Sequence, residues 1–365
     1  MLKTNSKGKN GDWKNLILLV AIAIIIKVFS FFPLPVENWY SSKIYPVIAV
    51  SLRWTTGWLP FSFGDVLYAV ATIWILLRIY KTIKAVIKKK VTKAAFFYSL
   101  HKTLVLMLWV YILFNLLWGM NYNRLGIAYQ LKLEPIPYST PELKMLTGLL
   151  IGKTNTARLQ LGDSNFIYPA SKVIFAAAKE AYDSAEKEYP FLHYVAPSVK
   201  SSLYGKFGNY AGFLGYYSPF SGEAQVNTTV PGFLIPFTTC HEMGHQLGYG
   251  TEDEANFSGY LAAKSSKENT FKYSAYFDLF LYANRELYSR DSVAAKQNYK
   301  LLDTLVRKDI MTYRKFLEAH QNPAEPYITM LYGAYLQANN QPEGMQTYDE
   351  VIGWLIAYLK KYKEL

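Results

Sequence analysis

The stretch LILLVAIAIIIKVFSFFPL, residues 16–34, carries one charge, Lys27. A helix needs roughly 20 apolar residues to cross the hydrocarbon core of a bilayer, within about 17–25. In lipid every backbone polar group must bond inside its own segment, so such a run can only be a helix. LVLMLWVYILFNLLWGM, residues 104–120, has no charge at all. A shorter run, VLYAVATIWILL at 66–77, reaches spanning length with the apolar residues back to Trp58, which sets Asp65 near an interface. Three transmembrane helices are expected, at about 16–34, 58–79 and 103–120. They make residues 1–120 a membrane domain whose partner is the lipid bilayer.

Charge agrees with this and fixes a direction. The net charge is +12, yet residues 1–120 hold 15 Lys and Arg against Asp12, Glu37 and Asp65, and residues 121–365 hold 24 of each sign. A nucleic-acid-binding domain would carry its excess on a folded polar surface. Here the excess is interleaved with apolar runs, so no nucleic-acid partner is expected. Lys3, Lys7, Lys9 and Lys14 precede the first run, and eight Lys and Arg between 78 and 102 follow the second without an acid. Positive-inside bias places both in the cytoplasm, and three spans then put residues 121–365 outside. The expected location is a multi-pass protein of the cytoplasmic membrane. The first run ends in FSFFPLP, which lacks the small residues of a cleavage site, so it reads as an anchor that is retained. The lysine-rich stretch reads as a solvated amphipathic helix on the inner surface.

From Asn121 the texture is that of a globular domain. YSTPELKMLTGLL opens a helix with Thr140 as cap and Pro141 in first position. SKVIFAAAKEAYDSAEKEYP has helical periodicity up to Pro190. Residues 199–232, rich in Gly, Tyr, Ser and Thr, read as short strands and turns. Residues 233–320 and the C-terminus are helical again. The fold class is α+β, mainly helical, with a small sheet just ahead of the chain's one histidine pair.

That pair lies in CHEMGHQLGYGTEDEANF, residues 240–257. His241 and His245 stand at i and i+4, which puts both rings on one helix face, able to converge on one ion. Glu242 projects at a different angle, where a general base would stand. Together they are H-E-x-x-H, the zinc hydrolase pattern. Two histidines need a third protein ligand, and Glu252, Asp253 and Glu254 are available. Thr251 would cap a second helix and Glu254 would complete its capping box, which leaves Glu252 the better ligand and Glu254 the alternative. Asn256, four residues after Glu252, would support a histidine from the second helix. Asp253 reads as a solvated charge and Cys240 as a small buried residue. Tyr216, Tyr217, Tyr249 and Tyr260 are candidates for an oxyanion donor. EAQVNTTV, residues 223–230, is the candidate strand on which an extended peptide could pair.

H-E-x-x-H followed by E-x-x-A-N resembles the glutamate zincins, in which the helical glutamate is the third ligand. HEMGHQLGYGTEDEANFSGYLA behind three spans, together with GYYSPFSGEAQVN, resembles a family of bacterial membrane proteins catalogued as domain of unknown function 3810. The seven positions from His245 to Glu252 are fewer than in many glutamate zincins. The resemblance implies a zincin-like domain at 121–365 with a metallopeptidase-like site. The expected activity is that of a membrane-anchored zinc hydrolase acting on a peptide or protein, with one Zn²⁺ per chain. Glu242 would be its base, and His241, His245 and Glu252 its ligands. The alternative is a non-catalytic membrane protein with a structural or sensory zinc site.

Overall fold

A computed structural model of the chain describes residues 6–134, 137–163, 165–341 and 347–365. Among them, three helices contain stretches long and apolar enough to cross a membrane: Trp13–Ser30, Phe63–Ile87 and Lys93–Leu117. The chain is therefore a membrane-associated one, and mainly helical, with a single three-stranded sheet among the described residues.

The span limits differ from the sequence reading for local reasons. The second span does not reach back to Trp58. Pro60 interrupts, the Ser62 side chain accepts from the Asp65 N–H to start a new helix, and Trp58 instead closes the preceding helix, Tyr45–Gly57. The third span stops at Leu117, and a 3₁₀ turn, Gly119–Asn123, carries Met120 into the protein interior. The lysine-rich stretch does not form a separate surface helix. Lys81 and Lys84 extend the second span, Lys93 and Lys102 lie in the third, and a tight turn with Lys89 in the left-handed region joins them. Lysine permits this because its stem can lie along an apolar helix while its ammonium reaches water.

The first and third spans pack on each other through Leu19, Ile26 and Ile112. Beyond Gly64 and Asp65 in its first turn, the second span has no buried residue. Between the first two spans the chain folds into a π-helix, Val36–Ile44, and then the helix Tyr45–Gly57. This interspan helix has two faces. Tyr45, Ala49, Arg53 and Thr56 are buried toward the globular part, while Val47 and Trp54 are exposed.

In the globular part, the helix Thr140–Leu159 packs on Asn269–Arg290, which together with Ser171–Ala185 packs against two helices that carry the candidate site, Ile235–Gln246 and Glu252–Ser265. Ser139, not Thr140, caps the first of these: Ser139 and Glu142 exchange the two bonds of a capping box one residue earlier than read. The sheet comprises β1 (Val199–Ser201), β2 (Gly215–Ser218) and β3 (Glu223–Val226) in the order β1-β3-β2. β3 is parallel to β1, with Val199 opposite Ala224, and antiparallel to β2, with Gly215 opposite Val226. β3 is thus the central strand, paired on both sides, and its backbone has no free edge for a peptide. β2 is the edge strand nearest the histidine helix.

Candidate metal centre

Every residue of the helix Ile235–Gln246 is buried. Its last carbonyls have no partner inside the helix, and the membrane-proximal segments supply donors. Trp118 Nε1 donates to the His245 carbonyl at 3.0 Å. The Tyr45 hydroxyl and Arg53 Nη1 both donate to the Gln246 carbonyl, at 3.0 and 2.9 Å. Arg124, paired with the buried Glu37 at 2.7 Å, donates to the Gly248 carbonyl at 3.1 Å. The Gln246 side chain ties the same turn to the sheet region, donating to the carbonyls of Ser198 and Gly222 at 3.0 and 2.7 Å. Gly248 ends the helix in the left-handed region, φ 85°, where a side chain would also run into the Tyr45 ring. At Gly244 the second helix comes so close that a Cβ would lie 2.3 Å from Ser258 Oγ.

This close crossing brings His241, His245 and Glu252 together, with one potential ligand atom from each lying within 4.8 Å of the others. His241 Nδ1 is 2.8 Å from Asn256 Oδ1, and His245 Nδ1 is 2.8 Å from the Tyr249 carbonyl. A carbonyl oxygen only accepts, so each Nδ1 carries a hydrogen and each Nε2 is the nitrogen left to face Glu252. Those Nε2 atoms lie 3.2 and 3.7 Å from Glu252 Oε2, itself buried without a hydrogen-bond partner. Three buried lone-pair atoms facing one another repel unless a proton or a cation lies among them. Two imidazoles and a carboxylate, with the other ring nitrogens held by acceptors, are a donor set that fits zinc. The group could hold a metal ion.

Charge in the site follows the same arrangement. Burial works against the Glu252 carboxylate, yet the two histidines hold it well below the usual range. Burial likewise opposes a charge on His245, but the facing Glu252 carboxylate outweighs it and raises His245 to about 9. Glu242 is buried beside this pair with Oε2 unpartnered, and burial pushes it up to about 7. A Cβ at Gly215, the first residue of β2, would lie 2.5 Å from Glu242 Oε1, so glycine is what lets β2 reach the glutamate.

The other acids have separate roles. Glu254 makes no capping box. Its Oε1 turns to the Ile127 N–H at 3.3 Å, and burial raises it to about 7. Thr251 is the cap residue by position, but its side chain makes no capping bond. Asp253 is not solvated: it is buried, and burial pushes it up to about 6. Cys240 is fully buried, as expected. Of the four tyrosines singled out, Tyr216 bonds Asp65 and Ser202, Tyr217 pairs with Tyr45, Tyr249 donates to Gln130, and Tyr260 is buried with a free hydroxyl. The tyrosine whose hydroxyl donates to the triad is Tyr332, bonding Glu252 Oε1 at 2.8 Å. It comes from the helix Glu325–Ala338. One Tyr among 31 in an apolar helix gives no local sign of this.

Residues 40–356 match the family described as "Protein of unknown function (DUF3810)", and the chain belongs to that family. The match begins inside the π-helix and so takes in the interspan helix together with the triad. No curated protein and no solved structure matches this chain.

Proposed function

We propose that the protein is a membrane-anchored zinc hydrolase of glutamate-zincin type that cleaves peptide bonds, holding one zinc per chain on His241, His245 and Glu252. The reading rests on one observation: three convergent, buried lone-pair donors stand beside a second buried glutamate whose Oε2 has no partner. Zinc at that position would supply Lewis acidity, polarising a carbonyl and easing the loss of a proton from water. Glu242 accepts that proton and returns it to the leaving amine. Burial raises its proton affinity, which helps it hold that proton until it is passed on. Asn256 and the Tyr249 carbonyl hold the two rings in the tautomer that leaves Nε2 free. The outer edge of β2, which starts against Glu242, is where an extended substrate would add as a strand. The lysine-rich turn lies at the ends of the second and third spans away from the site, which supports placing the globular part outside the cytoplasm.

Glu242→Gln tests the catalytic role in the full chain. Hydrolysis of a quenched-fluorescent peptide library should fall on the order of 10²–10⁴-fold, with zinc content unchanged. Wild-type activity should rise with pH along a limb at or below about 7, because Glu242 must be ionised to accept a proton and a bound cation only lowers its proton affinity. Turnover unaffected by the substitution would refute the assignment. A second reading has an observation of its own. His241, His245, Glu242 and Glu252 are all buried, as a structural or sensory zinc site would require. Zinc in wild type with no hydrolysis of any peptide would favour it.

A further inference from the structure

The helix Glu325–Ala338, EPYITMLYGAYLQA, has one charged residue, Glu325 at its start, and one buried residue, Leu336. Tyr327, Met330 and Leu331 are 68%, 63% and 67% exposed. Another surface helix, Thr304–His320, carries Arg307, Lys308, Asp309, Arg314, Lys315 and Glu318. A helix with a single charge at its start and large apolar side chains turned outward needs a partner other than water.

Its moorings identify that partner. At one end the Tyr335 and Tyr122 hydroxyls lie 3.1 Å apart and Asn340 Nδ2 donates to Asn123 Oδ1 at 2.5 Å, a few residues past the end of the third span. At the other end Asn322 Nδ2 donates to the Tyr210 carbonyl at 2.7 Å. Tyr210 belongs to the short helix Gly205–Ala211. The residues just before that helix are bound to the first turn of the second span: the Leu203 N–H reaches Asp65 Oδ2 at 2.7 Å, and the Tyr204 hydroxyl reaches the Asp65 carbonyl at 2.8 Å. Leu203, Phe207 and Tyr210 are exposed as well. Both ends of Glu325–Ala338 are thus tied to the level at which spans enter or leave lipid. On the second span itself, Val66 and Val70, just past Asp65, are exposed in the same way.

We infer that Glu325–Ala338 and Gly205–Ala211 rest on the bilayer as an in-plane membrane contact, with Phe207, Tyr327, Met330 and Leu331 set into the headgroup–acyl boundary. Tyrosine and large apolar side chains without charge suit that zone. On its inner side the same helix carries Tyr332 to Glu252, so the lipid surface and the triad share one element. The contact does not depend on whether the site is catalytic.

The test is spin-label accessibility in the full chain, reconstituted into vesicles of phosphatidylethanolamine and phosphatidylglycerol. Single cysteines replace Phe207, Tyr327 or Leu331, with Val70 as the lipid-facing control and Leu301 as the water-facing one. Cys240 is buried and remains unlabelled, which wild type verifies. Labels at 207, 327 and 331 should collide with oxygen in preference to a nickel chelate, at a ratio at least about threefold above that at 301, as accessibility follows burial in lipid. Ratios equal to that at 301 would overturn the proposal. Low accessibility to both reagents, with spin–spin broadening that disappears on dilution with unlabelled chain, would also overturn it and assign the face to a second copy.

Discussion

Two helices meet Glu252 from different sides, and the less apolar of the two is the one that is buried. Ile235–Gln246 is enclosed by protein all round, and donors from as far back as Tyr45 meet its final carbonyls. Glu325–Ala338 is bare on most of its surface and touches the site through one tyrosine hydroxyl. Apolar composition alone would exchange their places. What distinguishes them is where their polar groups find partners. The enclosed helix has its ring nitrogens and terminal carbonyls fixed by Tyr45, Arg53, Trp118, Asn256 and the Tyr249 carbonyl. The exposed one is held at its ends and by Tyr332. The first is built to keep a geometry, whereas the second can shift without dismantling it.

Substitutions on the two sides should therefore differ in size. Asn256→Ala removes the acceptor that orients His241 and should weaken zinc binding about 10–100-fold, measured by competition with a fluorescent chelator. An unchanged affinity would mean that the ring is fixed by packing alone. Arg53→Met keeps the bulk of the interspan helix but takes a donor from the buried Gln246 carbonyl. It should cost about 1–3 kcal/mol, read as a lowered unfolding midpoint in detergent. No shift would show that the interspan helix does not brace the histidine helix. Tyr332→Phe should have the smallest effect, about 0.5–1.5 kcal/mol for one hydrogen bond, with zinc stoichiometry unchanged. An effect as large as that of Asn256→Ala would erase the contrast and make Tyr332 part of the rigid half.

Much of this was legible in the sequence, because it rests on local spacing. Spanning runs, a histidine pair at i and i+4, and strands just ahead of it are all periodic signals. That Glu252 rather than Glu254 stands with the two histidines was also within reach, although the capping box that favoured it does not form. Glu254 is occupied by the Ile127 N–H, while Asn256 stands beside His241 as its position suggested. What could not be read is the set of contacts that cross the chain. Tyr45 and Gln246 are 201 residues apart, and Trp118 and His245 are 127 apart. Nothing near Tyr45, Arg53 or Trp118 signals that the membrane-proximal segments finish a helix in the globular half. β3 carries the more strand-like sequence, yet pairing with β1 and β2 takes both its edges, and the equally short, glycine-led β2 is left at the border.

Metal analysis of the full chain purified in detergent tests the assignment of the triad most directly. Wild type should carry about one zinc per chain, the expectation for a site with three protein ligands. His241→Ala should lose that zinc while keeping the wild-type helical content. Equal zinc in the two proteins, or none in wild type after exposure to stoichiometric zinc, would contradict the metal centre.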